Sequence, residues 1–217
     1  MKKIIFSLMA MLTLSFSVYS QQNDTNDSKD FSKLQIRLRG IVVIPDESAK
    51  IEVIGGDVEI STAFVPELDF TYFFTENWAA ELILGTTKHD VEAVSTVAGD
   101  IDLGDVMLLP PTLTLQYHIN TGVFRPYLGA GVNYTIFYGE DEGPIANAVD
   151  YENSFGVAVQ GGLDIDLSDK WFINVDLKKI FLSTDVTVNA TTALEATVGA
   201  DVDINPLIFG FGFGYRL

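Results

Sequence analysis

Bulky apolar residues recur at every second position through most of this chain, and few folds can use such a pattern. In residues 154–167, Phe155, Val157, Val159, Leu163, Ile165 and Leu167 alternate with Ser154, Gly156, Ala158, Gln160, Gly162, Asp164 and Asp166. Side chains of an extended strand point to opposite faces in turn, so a period of two means strands with two unlike faces. The last segment repeats it, with Phe209, Phe211, Phe213, Tyr215 and Leu217 against Gly210, Gly212, Gly214 and Arg216. So do Trp171, Ile173, Val175 and Leu177 against Asn174, Asp176 and Lys178. Leu34–Ile44, Phe64–Phe74, the run from Trp78 to Leu84, Leu109–Ile119 and Phe124–Tyr138 read the same way. Eight strands result, most of them about eleven residues or longer, the length a tilted strand needs to cross a bilayer.

Alternation alone does not choose the solvent, because a soluble sandwich or a lipocalin-like barrel alternates too. The character of the faces does. One face is rich in Gly, Ala, Ser and Thr, as suits the crowded inside of a narrow barrel. The other is bulky and apolar, with Tyr72, Phe74, Trp78, Tyr117, Tyr138, Trp171 and Tyr215 near strand ends. Aromatic girdles around a greasy band place lipid outside. Hydrocarbon leaves free backbone groups unsatisfied, so the sheet must close. The expected fold is all-β, an eight-stranded antiparallel transmembrane up-and-down barrel over residues 34–217.

The N-terminus supports export. Lys2 and Lys3 precede an apolar stretch from Ile4 to Val18, and Ser20 suits a cleavage site, so residues 1–20 read as a signal peptide. Residues 21–33, rich in Asn, Asp and Ser, read as a flexible leader. The chain has no cysteine, which excludes disulfide scaffolds. Its net charge of -17 argues against a nucleic-acid partner.

Connection lengths set the orientation. Thr75–Asn77, Asn120–Val123 and Ser168–Lys170 are tight links, whereas residues 45–62, 88–106, 139–152 and 182–203 are long. Short turns belong to the periplasm and long loops to the cell exterior, with both termini periplasmic. The four long loops carry -4, -4, -5 and -4, which matches the net charge of the whole chain. Their acidity reads as a solvated, self-repelling rim; the alternative is a divalent-cation bridge to lipopolysaccharide or an attraction for cationic solutes.

Inward positions fall into two groups. Low in the barrel stand Arg37, Arg39, Asp69, Glu81, His118, Arg125, Asp164, Asp166 and Arg216, with Glu67, Asp176 and Lys178 nearer mid-height. Opposite charges in so narrow a lumen should pair into a plug, since unpaired ones are too costly. Above them come Ile41, Val43, Val65, Ile83, Pro110, Phe137, Ile180 and Ile208, a pocket wall suited to an apolar ligand or, alternatively, packing filler. A guest above a plug leaves only sideways. Pro66, Pro110 and Pro111 each remove a ladder donor and mark weak points for such an exit.

The segments Leu108-Leu109-Pro110-Pro111-Thr112-Leu113, Phe124-Arg125-Pro126-Tyr127-Leu128-Gly129-Ala130-Gly131-Val132-Asn133-Tyr134-Thr135 and Phe211-Gly212-Phe213-Gly214-Tyr215-Arg216-Leu217 carry a resemblance. The chain resembles the outer-membrane protein W family of small bacterial barrels over essentially its mature length. That resemblance implies a Gram-negative outer membrane and a hydrophobic channel that admits small hydrophobic molecules and releases them laterally. Two departures stand out: the family usually closes on an aromatic residue where this chain has Leu217, and Lys178 projects inward where an apolar group would suit a greasy passage. Expected partners are membrane lipid and lipopolysaccharide, a small hydrophobic ligand and the outer-membrane assembly machinery.

Other motifs read as structural. Gly210-x-Gly212-x-Gly214 leads into no helix, so steric relief in the lumen explains it better than nucleotide binding. Asp164-x-Asp166-x-Ser168 lacks the glycine and the glutamate of an EF-hand. No metal or cofactor is expected, apart from weak surface cation binding at Asp100, Asp102 and Asp105 or at Asp201 and Asp203. A lipid-modifying barrel enzyme would need a base beside a nucleophile, and only His89 and His118 are available, so no enzyme is expected. An adhesive surface barrel working through its acidic loops is the remaining alternative.

Overall fold

The computed structural model describes residues 33–144, 148–190 and 196–217. The expected signal peptide and all but the last residue of the expected leader lie outside them. In chain order the strands are β1 (Leu34–Ile44), β2 (Ser48–Ile51), β3 (Asp57–Ile60), β4 (Ala63–Phe73), β5 (Trp78–Gly85), β6 (Thr87–Thr96), β7 (Gly99–Leu109), β8 (Thr112–His118), β9 (Phe124–Glu142), β10 (Ala148–Tyr151), β11 (Ser154–Asp166), β12 (Trp171–Phe181), β13 (Ser183–Ala190), β14 (Ala196–Asp203) and β15 (Leu207–Arg216).

Eight of these close an antiparallel barrel in the order β1, β4, β5, β8, β9, β11, β12, β15. The last strand returns to the first, from Gln35↔Arg216 to Ile44↔Leu207, so the sheet has no free edge around its girth. Its short turns are held by hydroxyls: Thr75 Oγ1 accepts from Trp78 N at 3.0 Å, and Ser168 Oγ accepts from Trp171 N at 3.0 Å.

Burial is inverted relative to a water-soluble protein. Arg37, Arg39, Lys178, Glu81 and Asp164 are buried, while Leu38, Leu115, Leu128, Val132, Phe155, Phe209 and Phe213 are exposed. In water so broad an apolar belt would be an aggregation surface; in a bilayer it is the solvated face. Ring pairs cluster at the short-turn end, with Trp78 on Tyr117 at 5.0 Å and Trp171 on Tyr215 at 4.9 Å between centroids. This is the aromatic girdle expected at a membrane boundary.

The four long connections are present but far from irregular. β3, β6 and β7 continue upward from the outer part of β9, and β10, β13, β14 and β2 form a second sheet. Together they raise a collar above the barrel. The physical reason is that the alternation persists there at lower amplitude: Val91, Ala93, Ile101, Val186, Val198 and Val202 are buried. Intervening Asp, Thr and Gly dilute the pattern enough for these segments to read as loops. The strand expected at Leu109–Ile119 is likewise divided, because Pro110 and Pro111 separate β7 from β8.

Candidate functional site

The lower lumen is filled by side chains from strands that alternation alone brings together. Arg37 stands across the ladder from Asp69, and Arg39 from Glu67. Arg37 Nη1 donates to Glu81 Oε1 at 2.5 Å, Thr71 Oγ1 at 2.9 Å and Asp69 Oδ1 at 3.3 Å, while its Nη2 reaches Asp164 Oδ2 at 3.2 Å. Arg39 Nη2 lies 2.6 Å from Glu67 Oε1 and 3.1 Å from Asp69 Oδ2, and its Nη1 donates to Asn174 Oδ1 at 3.2 Å. Each of these ions would cost several kcal/mol if left unpaired at this depth. The expected plug residues are therefore gathered around two guanidinium groups.

A second tier closes the periplasmic mouth. Asp166 takes Arg216 at 2.5 Å and Arg125 at 3.2 Å, and Arg125 retains 28% side-chain exposure, so this tier meets water. His118 joins through neutral groups: its Nε2 is 2.9 Å from Gln116 Oε1, and its ring stacks on Tyr127 at 4.8 Å. Gln116 in turn donates to Glu81 Oε2 at 2.7 Å.

Two aromatic members of the plug escaped the sequence reading. Tyr127 donates to Asp176 Oδ2 at 2.7 Å, and Phe172 lies between Arg37 and Arg216, 5.7 and 4.5 Å from their guanidinium carbons. Their signal was present. Each stands across a ladder from a glycine, Tyr127 from Gly162 and Phe172 from Gly214. A Cβ at either glycine would collide with the ring, so these glycines give the steric relief expected inside the lumen.

Above the plug the lumen changes character. Ile41, Val43, Ile83, Pro110, Phe137, Ile180 and Ile208 line a cavity of about 110 Å³. Val65 lies half-buried against the same apolar cluster, beside the cavity rather than on its lining. Collar residues extend the wall upward, among them Ile54, Val58, Val91, Ile101, Val186 and Val202. Phe137 stacks on Tyr151 with centroids 5.5 Å apart. An apolar cavity of roughly 150 Å³ stays dry and takes up benzene, so this space suits a small hydrophobic guest with modest adjustment.

Polar residues line the cavity at its floor and at a few places higher up, where Tyr151 and Thr184 join from the collar. Glu67, Thr112, Thr135 and Lys178 form the floor; Thr87 and His89 stand at the side. His89 Nδ1 is 2.6 Å from the Ser61 carbonyl oxygen. Burial pushes the His89 pKa below the ordinary imidazole value, outweighing that contact, and favours the neutral ring. Of the weak cation candidates, Asp100 and Asp102 accept from the backbone of Ser95 and Gly104, and Asp105 pairs with Lys88 at 2.9 Å.

A closed barrel with a lipid-facing apolar exterior, a salt-paired axis and an acidic outer collar defines a bacterial outer-membrane barrel protein. The chain belongs to the OmpW family, whose profile matches residues 31–217. It is 43% identical over 187 residues to the uncharacterized outer-membrane protein y4mB of Sinorhizobium fredii, covering 85% of this chain and 80% of that one. It is 36% identical to the dibenzothiophene metabolism operon protein PahQ of Pseudomonas aeruginosa, covering 65% of this chain and 70% of the relative. The crystal structure of the outer membrane protein OprG from Pseudomonas aeruginosa superposes with a TM-score of 0.79 at 30% identity, covering 86% of this chain and 96% of that one. These likenesses place the chain in a Gram-negative outer membrane, with its collar outside and its short turns in the periplasm.

Proposed function

We propose that this barrel takes small hydrophobic molecules from the cell exterior into its apolar upper lumen and releases them sideways into the membrane. The observation that carries the reading is the abrupt floor: an apolar cavity stands directly on a layer of paired charges that fills the axis. A hydrophobic guest gains nothing by entering that layer. Hydrated ions, in turn, find neither a wide path nor a polar wall above it.

Interrupted pairing in the wall supports a side exit. The β4–β5 ladder ends at Glu67↔Gly85, and pairing across this seam resumes only where Ser61 N meets the Asp90 carbonyl at 3.0 Å. Pro66, just above the last pair, has no N–H to give. On the other side of the same stave, ladder pairs between Ile83↔Thr112 and Thr87↔Leu108 are interrupted beside Pro110 and Pro111. The three prolines thus flank one stretch, Gly85–Thr87. Kinship with a protein named for a dibenzothiophene metabolism operon agrees with an aromatic cargo.

No catalytic step belongs to this proposal. Lipopolysaccharide would meet the acidic collar through divalent cations, and the assembly machinery would insert the chain.

Two variants test the reading. Ile83→Trp should fill the cavity and lower binding of dodecane at least about tenfold in lipid nanodiscs, with the heat-modifiable gel mobility of a folded barrel retained; unchanged binding contradicts the pocket. The chain has no cysteine, so Val65→Cys with Thr87→Cys, opposite each other if the Glu67↔Gly85 register is continued, offers a clean lock. Oxidation should stop transfer of a hydrophobic dye into vesicle lipid and leave its binding intact. Transfer at the reduced rate in both states would remove the side exit.

A further inference from the structure

Lys178 is the one cation of the plug that touches the cavity, and it is also the least committed. Its side chain is 1% exposed, yet its Nζ comes no nearer to a carboxylate than 3.5 Å, at Glu67 Oε2, with Asp176 Oδ1 at 4.0 Å. Both carboxylates are better served elsewhere. Glu67 Oε1 sits 2.6 Å from Arg39, and Asp176 Oδ2 accepts from Tyr127 at 2.7 Å. An ammonium group has three protons to donate, and a long contact of this kind leaves it under-satisfied at a depth where water is scarce. The other hydroxyls of the floor are spent: Thr112 Oγ1 donates to the Pro110 carbonyl at 3.0 Å, and Thr135 Oγ1 to Asn133 Oδ1 at 2.8 Å.

Resting on the hydrophobic-cargo reading, we propose that Lys178 is a head-group anchor: the cavity prefers hydrophobic molecules that end in one uncharged hydrogen-bond acceptor, such as a ketone, aldehyde or alcohol. The apolar walls take the tail, and the head reaches Nζ at the floor. A plain hydrocarbon leaves that ammonium short of acceptors. A carboxylate is disfavoured, because Glu67 and Asp176 flank the ammonium, and Asp69, Glu81 and Asp164 fill the layer below with only Arg37 and Arg39 as further cations. Like charges gathered in so low a dielectric repel strongly. Lys178, which breaks the greasy pattern on β12, thereby acquires a selective role.

The test compares 2-undecanone, dodecane and decanoate on the full barrel in lipid nanodiscs, for the parent chain and Lys178→Met, by competition with a fluorescent hydrophobic probe. Relative to its own partitioning into empty nanodiscs, the ketone should bind the parent about tenfold better than dodecane, in keeping with one charge-assisted hydrogen bond. The preference should vanish in Lys178→Met, where dodecane binding is retained. An equal preference in both chains, or decanoate binding better than the ketone, overturns the anchor while leaving the cargo reading intact. Failure of both dodecane and ketone to bind the parent sinks the cargo reading itself. Should Lys178→Met not fold, the carbonyl ¹³C resonance of labelled 2-undecanone on the parent decides: a downfield move from its position in nanodisc lipid supports the anchor, and an unmoved line overturns it.

Discussion

The lower and upper halves of the lumen are built on the same strands yet obey opposite rules. Along β1 the inward residues run Gln35, Arg37, Arg39, then Ile41 and Val43; along β12 they run Asn174, Asp176, Lys178, then Ile180. β4 makes the same change between Glu67 and Val65. Along β1 and β12 the ladder with β15 runs unbroken through this level, so on these strands chemistry is the only difference. Below it, stability depends on every ion finding its partner; above it, loose packing of apolar walls leaves room. A narrow barrel therefore gains a cavity without a wider circumference, by confining its dense packing to one end.

Breaking the lower half should have the largest consequence. Arg37→Leu strands Asp164, leaves Asp69 and Glu81 to share Arg39, and should destabilise the barrel by about 3–5 kcal/mol, read by urea unfolding in lipid vesicles. A matching change above, Ile208→Val, should cost only about 0.5–1.5 kcal/mol. Equal losses at the two sites would erase the contrast between the halves.

A smaller test probes the aromatic packing of the plug. Gly162→Ala must displace the Tyr127 ring and its 2.7 Å bond to Asp176, at a cost of about 1–3 kcal/mol. The hydrophobic guest should bind as before.

The smallest effect concerns pH at the collar. Because burial lowers the His89 pKa, the unfolded chain binds more protons than the folded one. The contribution of His89 is then complete above its unfolded value of about 6.5 and is lost as pH falls through the lower folded value. His89→Gln should flatten the acid-side slope of stability, measured by unfolding at several pH values. A slope unchanged by the substitution would mean the ring is not held neutral.

Much of this contrast was legible in the residues. Alternation assigned Arg37, Asp69, Glu81 and Asp164 inward and Leu115, Val132 and Phe211 outward, because a period of two leaves a strand residue only two choices. Tyr127 and Phe172 were missed because bulky aromatics resemble lipid-facing groups until the cross-strand glycines are paired with them. The collar was missed for a different reason. Val186, Val198 and Val202 alternate among Asp, Thr and Gly, and a strand with a wet outer face and small inner residues carries little hydrophobic amplitude. Pairings between loops distant in sequence, such as β14 with β2, leave no local trace at all.

Diffraction from crystals soaked in a brominated hydrocarbon, such as 1-bromooctane, asks the central question directly. The account requires anomalous bromine density within the upper lumen, among Ile41, Ile83, Phe137 and Ile208. Bromine found solely on the outer apolar belt, with the cavity unvisited, would contradict it.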